Sequence, residues 1–297
     1  MSELHPIVAV TGSSGAGTSS VKLAFEHIFA RIGLTPAVVE GDSFHRYDRS
    51  EMGKQVDKFA RLGMTLTHFG PEGNLFDELE SLFRSYAESG TGLRRHYLHT
   101  QEDAHHYGGR PGTFTGWENL PEATDLLFYE GLHGGLKTDR HDVQCFCDLL
   151  VGVVPIINLE WIQKIHRDQT VRGYSAETAT QMILRRMPDY VHYICPQFSR
   201  TDINFQRIPT IDTSNPFTAR EIPTNDQSMV VIHIANRRKV DVDFRYLLEM
   251  LQGAFMSSPD TIVVPASQYV LAMELILNPV VERLIERRDC ARSERAG

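Results

Sequence analysis

Short uninterrupted apolar runs recur through the first half of the chain: Ile7-Val8-Ala9-Val10, Ala37-Val38-Val39, Leu126-Leu127-Phe128-Tyr129 and Leu149-Leu150-Val151-Gly152-Val153-Val154. Runs of this length without polar alternation predict strands covered on both faces, as in a parallel sheet. Between them apolar residues return at helical spacing. Val21, Ala24, Phe25, Ile28 and Phe29 predict a helix over 20–30, and Leu75, Leu79, Leu82 and Phe83 predict an amphipathic helix over 74–87. Residues 50–65 are highly charged and read as a solvated helix or loop, or as a mobile segment that helps hold a substrate phosphate. From 90 to 117 glycines, histidines and aromatics follow no period, which predicts a hairpin and loop beside a functional site. Further on, 229–234 reads as a strand, 241–256 as a helix, 261–265 as a short edge strand, and 268–287 as a helix kinked by Pro279. The tail 288–297 is charged and predicted to be mobile. No linker or repeat interrupts the chain. One α/β domain over 1–297 is expected, with a core to about residue 215 and residues 216–290 completing the sheet and packing subunits.

The first strand runs into Gly12-Ser13-Ser14-Gly15-Ala16-Gly17-Thr18-Ser19 and then a helix. Strand, glycine-rich turn and helix together form a phosphate cradle, in which backbone N–H groups and the helix N-terminus face the anion. Ser19 stands where such a loop places its Mg²⁺-binding hydroxyl. Thr18 replaces the usual lysine, which neutralises the β- and γ-phosphates. Either the turn binds no nucleotide, or a cation arrives from elsewhere.

Asp42 follows the second strand, where open α/β sheets bind ligands. An aspartate there is commonly a turn former or cap, but His45 and Arg49 lie close enough in sequence to grip an anion with it. Glu130 closes the third strand as a Walker B acid would, placing a carboxylate for Mg²⁺ near the loop hydroxyl.

A formal charge of −8 argues against a general attraction to nucleic acid. No apolar run approaches the ~20 residues of a membrane span, and the first residues resemble no secretion signal. A cytoplasmic protein is expected. Cys145, Cys147, Cys195 and Cys290 lack zinc-site spacing and read as apolar fillers.

Asn158 is expected to cap a helix in which Lys164, Asp168 and Arg172 share one face, with Arg167 adjacent. Gly173 ends that helix, Ser175 caps the next, and Arg185 and Arg186 precede Pro188. These cations are either ion pairs on a solvated face or a lid that supplies the charge missing at Thr18. Lys164-Ile165-His166-Arg167-Asp168, then Arg172-Gly173-Tyr174-Ser175-Ala176-Glu177, resembles the signature of the phosphoribulokinases. So do Arg185-Arg186-Met187-Pro188-Asp189-Tyr190, Thr201-Asp202-Ile203-Asn204-Phe205-Gln206-Arg207 and Asp212-Thr213-Ser214-Asn215-Pro216-Phe217. With Gly41-Asp42-Ser43-Phe44-His45-Arg46 and the lysine-less loop, the resemblance spans nearly the whole chain and is to the short bacterial form.

The resemblance implies a mixed, mostly parallel sheet flanked by helices, of the nucleoside monophosphate kinase type. It implies ATP-dependent phosphorylation of ribulose 5-phosphate at its 1-hydroxyl, for carbon fixation. Asp42 is then the base, Glu130 the Walker B acid, and Asp168 a second carboxylate near Mg²⁺. His45 and Arg49 contact the sugar phosphate, with Lys54 provisional. Lys164, Arg167, Arg172 and Arg186 form the lid, and Lys164 replaces the loop lysine. NADH activation, a large homo-oligomer and an effector role for Arg31 are implied in the same way. Phosphorylation of uridine, or nucleotide binding without catalysis, are the rival readings.

Overall fold

The computed structural model of the chain describes residues 3–13, 18–170, 173–219 and 221–296. In chain order the elements are β1 (Ile7–Gly12), α1 (Thr18–Ile32), β2 (Ala37–Glu40), α2 (Arg49–Arg61), α3 (Phe76–Ser89), β3 (Leu93–Arg94), α4 (Gln101–Tyr107), β4 (Glu118–Asn119), β5 (Leu127–Gly131) and β6 (Leu149–Val153). There follow α5 (Ile157–Thr170), α6 (Ala176–Asp189), β7 (Ile203–Pro209), β8 (Ser228–Ile234), α7 (Phe244–Met250), β9 (Phe255–Ser258), β10 (Thr261–Pro265) and α8 (Tyr269–Ala296).

Eight strands form one sheet in the order β2-β5-β1-β6-β7-β8-β10-β9. Pairing is parallel from β2 through β7 and antiparallel from β7 to β9. Period-2 alternation divides the core. Val8 and Val10 of β1 pack with Val21, Phe25 and Ile28 of α1 and Met273, Ile276 and Leu277 of α8. Ile7 and Ala9 pack on the opposite face with Leu79, Leu82 and Phe83 of α3. With both faces covered, all six residues of β1 are buried. In β8 only Ser228, Val230, Ile232 and Ile234 are buried, because one face of the antiparallel half is more open.

Several expected boundaries move. Helix α3 begins at Phe76, and Asn74 instead donates from its amide to the carbonyls of His68 and Gly70 at 2.9 and 2.7 Å, fastening the preceding loop. Helix α5 begins at Ile157, so Asn158 lies inside it and is not its cap. The 90–117 segment is a hairpin, β3 on β4, as expected. It also carries the unexpected helix α4, opened by a reciprocal cap between Thr100 and Asp103. Helix α7 is half as long as expected. Gly253 (φ +79°) turns the chain away, and 255–258 becomes strand β9. The edge is therefore β9, with β10 inside it.

The tail is helical rather than mobile, since α8 runs to Ala296 with Pro279 inside it. Buried Ile276, Leu277, Val280 and Val281 hold both sides of Pro279 on one core. Buried Arg288 donates to the Asp125 carboxylate and carbonyl at 2.7 and 2.9 Å. Among the described residues no helix is long and apolar enough to cross a membrane.

Candidate active site

The register places Val10, Glu130 and Glu40 side by side, so the glycine turn, Glu130-Gly131 and Gly41-Asp42 leave the sheet at one edge. This edge is formed by strand carboxyl ends, as expected for an α/β ligand site. Gly41 and Gly131 bring β2 and β5 together over Tyr129. A Cβ on Gly41 would lie 2.5 Å from Tyr129 Oη, and one on Gly131 would lie 2.7 Å from Gly41 Cα. Gly12 ends β1, and Ser13 is buried. Ser14, Gly15, Ala16, Gly17 and Arg172, and the side chains of Thr18 and Ser19, lie outside the described residues.

Asp42 sits in a 3₁₀ turn, Gly41–Phe44. Its carboxylate is partly open to the cleft, with His45 Nε2 at 3.6 Å and His99 Nε2 at 3.5 Å. These distances are too long for strong hydrogen bonds. Among the described residues no donor occupies its oxygens, which leaves them for an incoming hydroxyl. His45 is buried beneath it and stacked on His68 at 4.2 Å between centroids. Burial holds the His45 imidazole below its ordinary pKa. Asp42 opposes the shift, while His99, Arg95 and Arg186 reinforce it. His45 is therefore neutral at pH 7.

Arg49 opens α2 after its cap Asp48, which accepts from Glu51 N–H at 2.8 Å. The Arg49 N–H donates to Gly112 O at 2.8 Å, and its guanidinium reaches His99 O at 3.4 Å, tying α2 to the hairpin. Lys54 lies on the exposed side of α2, 3.3 Å from Glu51. No described contact brings it to Asp42 or His45.

On α5, Lys164 Nζ donates to Asp168 Oδ2 at 2.7 Å, and Asp168 is fully buried. Arg167 Nε stands 3.9 Å from Asp168 Oδ1. Burial lowers the Lys164 pKa. Its bond to Asp168 opposes this, and repulsion from Arg186 and Arg167 adds to it. Of the expected cluster, Lys164 and Arg167 gather at the Asp168 carboxylate, and Arg186 lies close enough to Lys164 to repel it. Among the described residues Ile165, Ala179 and Ile183 form a small buried apolar cluster between the helices, with Trp161 and Ala176 against it. Ring contacts join it, Phe69 with Tyr190 and Trp161 with Phe217, and polar ties are added. Tyr190 donates to Glu160 at 3.1 Å beside Ser13, and Thr67 donates to Asp189 at 2.6 Å.

Glu130 is half-buried at its strand end. Among the described residues no three acidic, histidine or cysteine side chains converge as a metal cage. A hard carboxylate at a strand end suits Mg²⁺, which binds one or two protein oxygens and completes its shell with phosphates and water. Arg31, at the far end of α1, is exposed and 3.5 Å from Glu274, which also meets His27 at 2.7 Å.

Sequence reasoning gave no role to His99, His68 or Arg95. They sit 26 or more residues after Asp42, and only folding of the loop and hairpin brings them to its turn.

This sheet, with its glycine turn, strand-end acids and basic helical pair, is that of the phosphate-binding-loop kinases. The family model described as "Phosphoribulokinase / Uridine kinase family" matches residues 7–214, and the chain belongs to that family. A relative from Cupriavidus necator, "Phosphoribulokinase, plasmid", is 62% identical over 97% of this chain and 98% of its own. The "Probable phosphoribulokinase" of Escherichia coli K12 is 56% identical over 96% and 98%. The solved structure "Phosphoribulokinase from Rhodobacter spheroides" superimposes with a TM-score of 0.89 at 48% identity, over 97% of this chain and 100% of that one.

Proposed function

We propose that the chain transfers the ATP γ-phosphoryl group to the 1-hydroxyl of ribulose 5-phosphate, giving ribulose 1,5-bisphosphate and ADP for carbon fixation. The observation that carries this reading is the Asp42 carboxylate, partly exposed between two imidazoles, with Arg186 in electrostatic reach of both His45 and Lys164. Asp42 takes the proton as the hydroxyl attacks. His45 and Arg49 hold the sugar phosphate, with Lys54 reaching it only after a rearrangement of its exposed side chain. The turn from Gly12 to Ser19 cradles the nucleotide. Lys164, Arg167, Arg172 and Arg186 meet the charge on the transferring group, with Lys164 replacing the loop lysine. Ser19, Glu130 and Asp168 would hold Mg²⁺, which when bound neutralises charge on the β- and γ-phosphates.

The same reading makes the protein a cytoplasmic homo-oligomer activated by NADH, with Arg31 contributing to the effector site. The exposure of Arg31 and its single described ion pair support that role. ATP turnover is expected with ribulose 5-phosphate and not with uridine, and is expected to rise when NADH is added. Preference for uridine, or nucleotide binding without turnover of either acceptor, would overturn the reading.

A further inference from the structure

The turn that carries Asp42 is fixed by one side chain from the hairpin. Arg95 Nε donates to Ser43 O at 2.7 Å and Arg95 Nη2 to His45 O at 2.6 Å. The intervening carbonyl, Phe44 O, accepts from Leu75 N–H at 2.8 Å, and Asp42 O accepts from His45 N–H at 3.2 Å. Four successive carbonyls after Gly41 are thus held, two of them by a single planar fork. The guanidinium lies 3.7 Å above the Phe114 ring centroid and 4.8 Å from that of Trp117, and Trp117 also packs on Phe44. Among the described residues no carboxylate makes an ion pair with it. A half-buried cation spent on two backbone carbonyls and two aromatic faces is placed for geometry rather than for charge neutralisation.

We infer that Arg95 is a positioning residue: it clamps the Ser43 and His45 carbonyls so that Asp42 meets the acceptor hydroxyl, and His45 the sugar phosphate, in a fixed geometry. The inference rests on the proposed role of Asp42 as base. A shift of about 1 Å in a catalytic group costs on the order of 100-fold in rate. Loss of the clamp acts only through Asp42 and His45, so its effect depends on whether the base is present.

The test is a double-mutant cycle assayed with ATP and ribulose 5-phosphate. Arg95→Met keeps most of the stem and removes the fork. Its kcat is expected to fall about 100-fold with KM for ATP unchanged. In an Asp42→Asn background the same change is expected to cost less than about 3-fold, because the group it positions is already disabled. Equal losses in both backgrounds, or a kcat for Arg95→Met within about 3-fold of the parent, would overturn the inference. Near-normal turnover by Asp42→Asn alone would overturn the base assignment and this inference with it. If Arg95→Met does not fold, Arg95→Lys replaces it in the same cycle. It keeps the charge and one donor, and an intermediate loss of about tenfold is expected.

Discussion

Asp42 and Asp168 sit in two regions held in different ways. The acceptor side, around Asp42, rests on a large apolar core through Phe44, Phe76 and Tyr129, and its turn is pinned by backbone hydrogen bonds. Its carboxylate is partly exposed and flanked by imidazoles. On the α5–α6 side, Asp168 is fully buried against Lys164, on a seam of three buried apolar residues. A base must be in register before the substrate arrives, which requires a stiff support. In the proposed mechanism a pair of helices that brings cations onto phosphates has to open for exchange, and its described hold is a small apolar cluster with ring contacts and polar ties. The difference separates two kinds of damage, loss of chemistry without loss of structure and loss of both.

The largest expected effect tests that separation directly. Asp42→Asn should lower kcat by on the order of 10³-fold, with ATP affinity and the unfolding midpoint unchanged. Asp168→Asn should also lower turnover, but it leaves Lys164 without its buried partner. Amide exchange across α5 and α6 should therefore quicken in that variant alone. Equal destabilisation by the two changes would erase the distinction between the regions.

Lys164→Met comes next. In single-turnover experiments phosphoryl transfer should slow by about 100-fold, while affinity for ribulose 5-phosphate stays within about 3-fold. An unaltered single-turnover rate would move the compensating charge from Lys164 to Arg167 or Arg186.

The contrast also explains how much could be anticipated from the residues. The parallel strands were legible because burial on both faces leaves uninterrupted apolar runs, and the Lys164-Asp168 pair was legible because helical spacing alone puts residues four apart together. Asp42 was placed by the rule that strand ends carry ligands. The 90–117 hairpin was legible as a neighbour of the site, but which of its side chains come to the Asp42 turn was not. His99 and Arg95 reach Asp42 through the β3–β4 hairpin, and no local period encodes that closure. The 241–256 segment failed for a related reason. Its apolar residues fit a helix until Gly253 diverts the chain, and Phe255 and Met256 are satisfied by pairing with Val263 and Ile262. The tail's charges suggested solvent, yet Arg288 is buried because Asp125 waits for it in a distant loop.

A pH experiment sharpens the account of the acceptor side. His133 is buried, with Nε2 donating to Phe69 O at 3.0 Å, and burial pushes its pKa down to about 4. The unfolded chain binds this proton near the ordinary value of 6.5, so the unfolded state holds more protons at intermediate pH. Stability is complete above 6.5 and is lost as pH falls toward 4, by about 3 kcal/mol for this group. His133→Gln keeps a donor for Phe69 O and removes the titration. Urea unfolding across that window should show a correspondingly flatter loss in the variant, and an unchanged slope would exclude His133 as its source.

The smallest expected effect probes the stiffness of the acceptor side. A Cβ on Gly131 would lie 2.7 Å from both Gly41 Cα and Tyr129 Oη. Gly131→Ala should cost about 1–3 kcal/mol, because the facing backbone must move. Adding Tyr129→Phe removes the hydroxyl contact but leaves the Gly41 contact, so only part of the loss should return. The shift passes into Gly41, the residue before Asp42, and kcat should fall along with stability. If Gly131→Ala were neutral in both, β2 and β5 would be free to separate at their ends. Asp42 would then owe its position to the Arg95 clamp rather than to the packing of the strands beneath it.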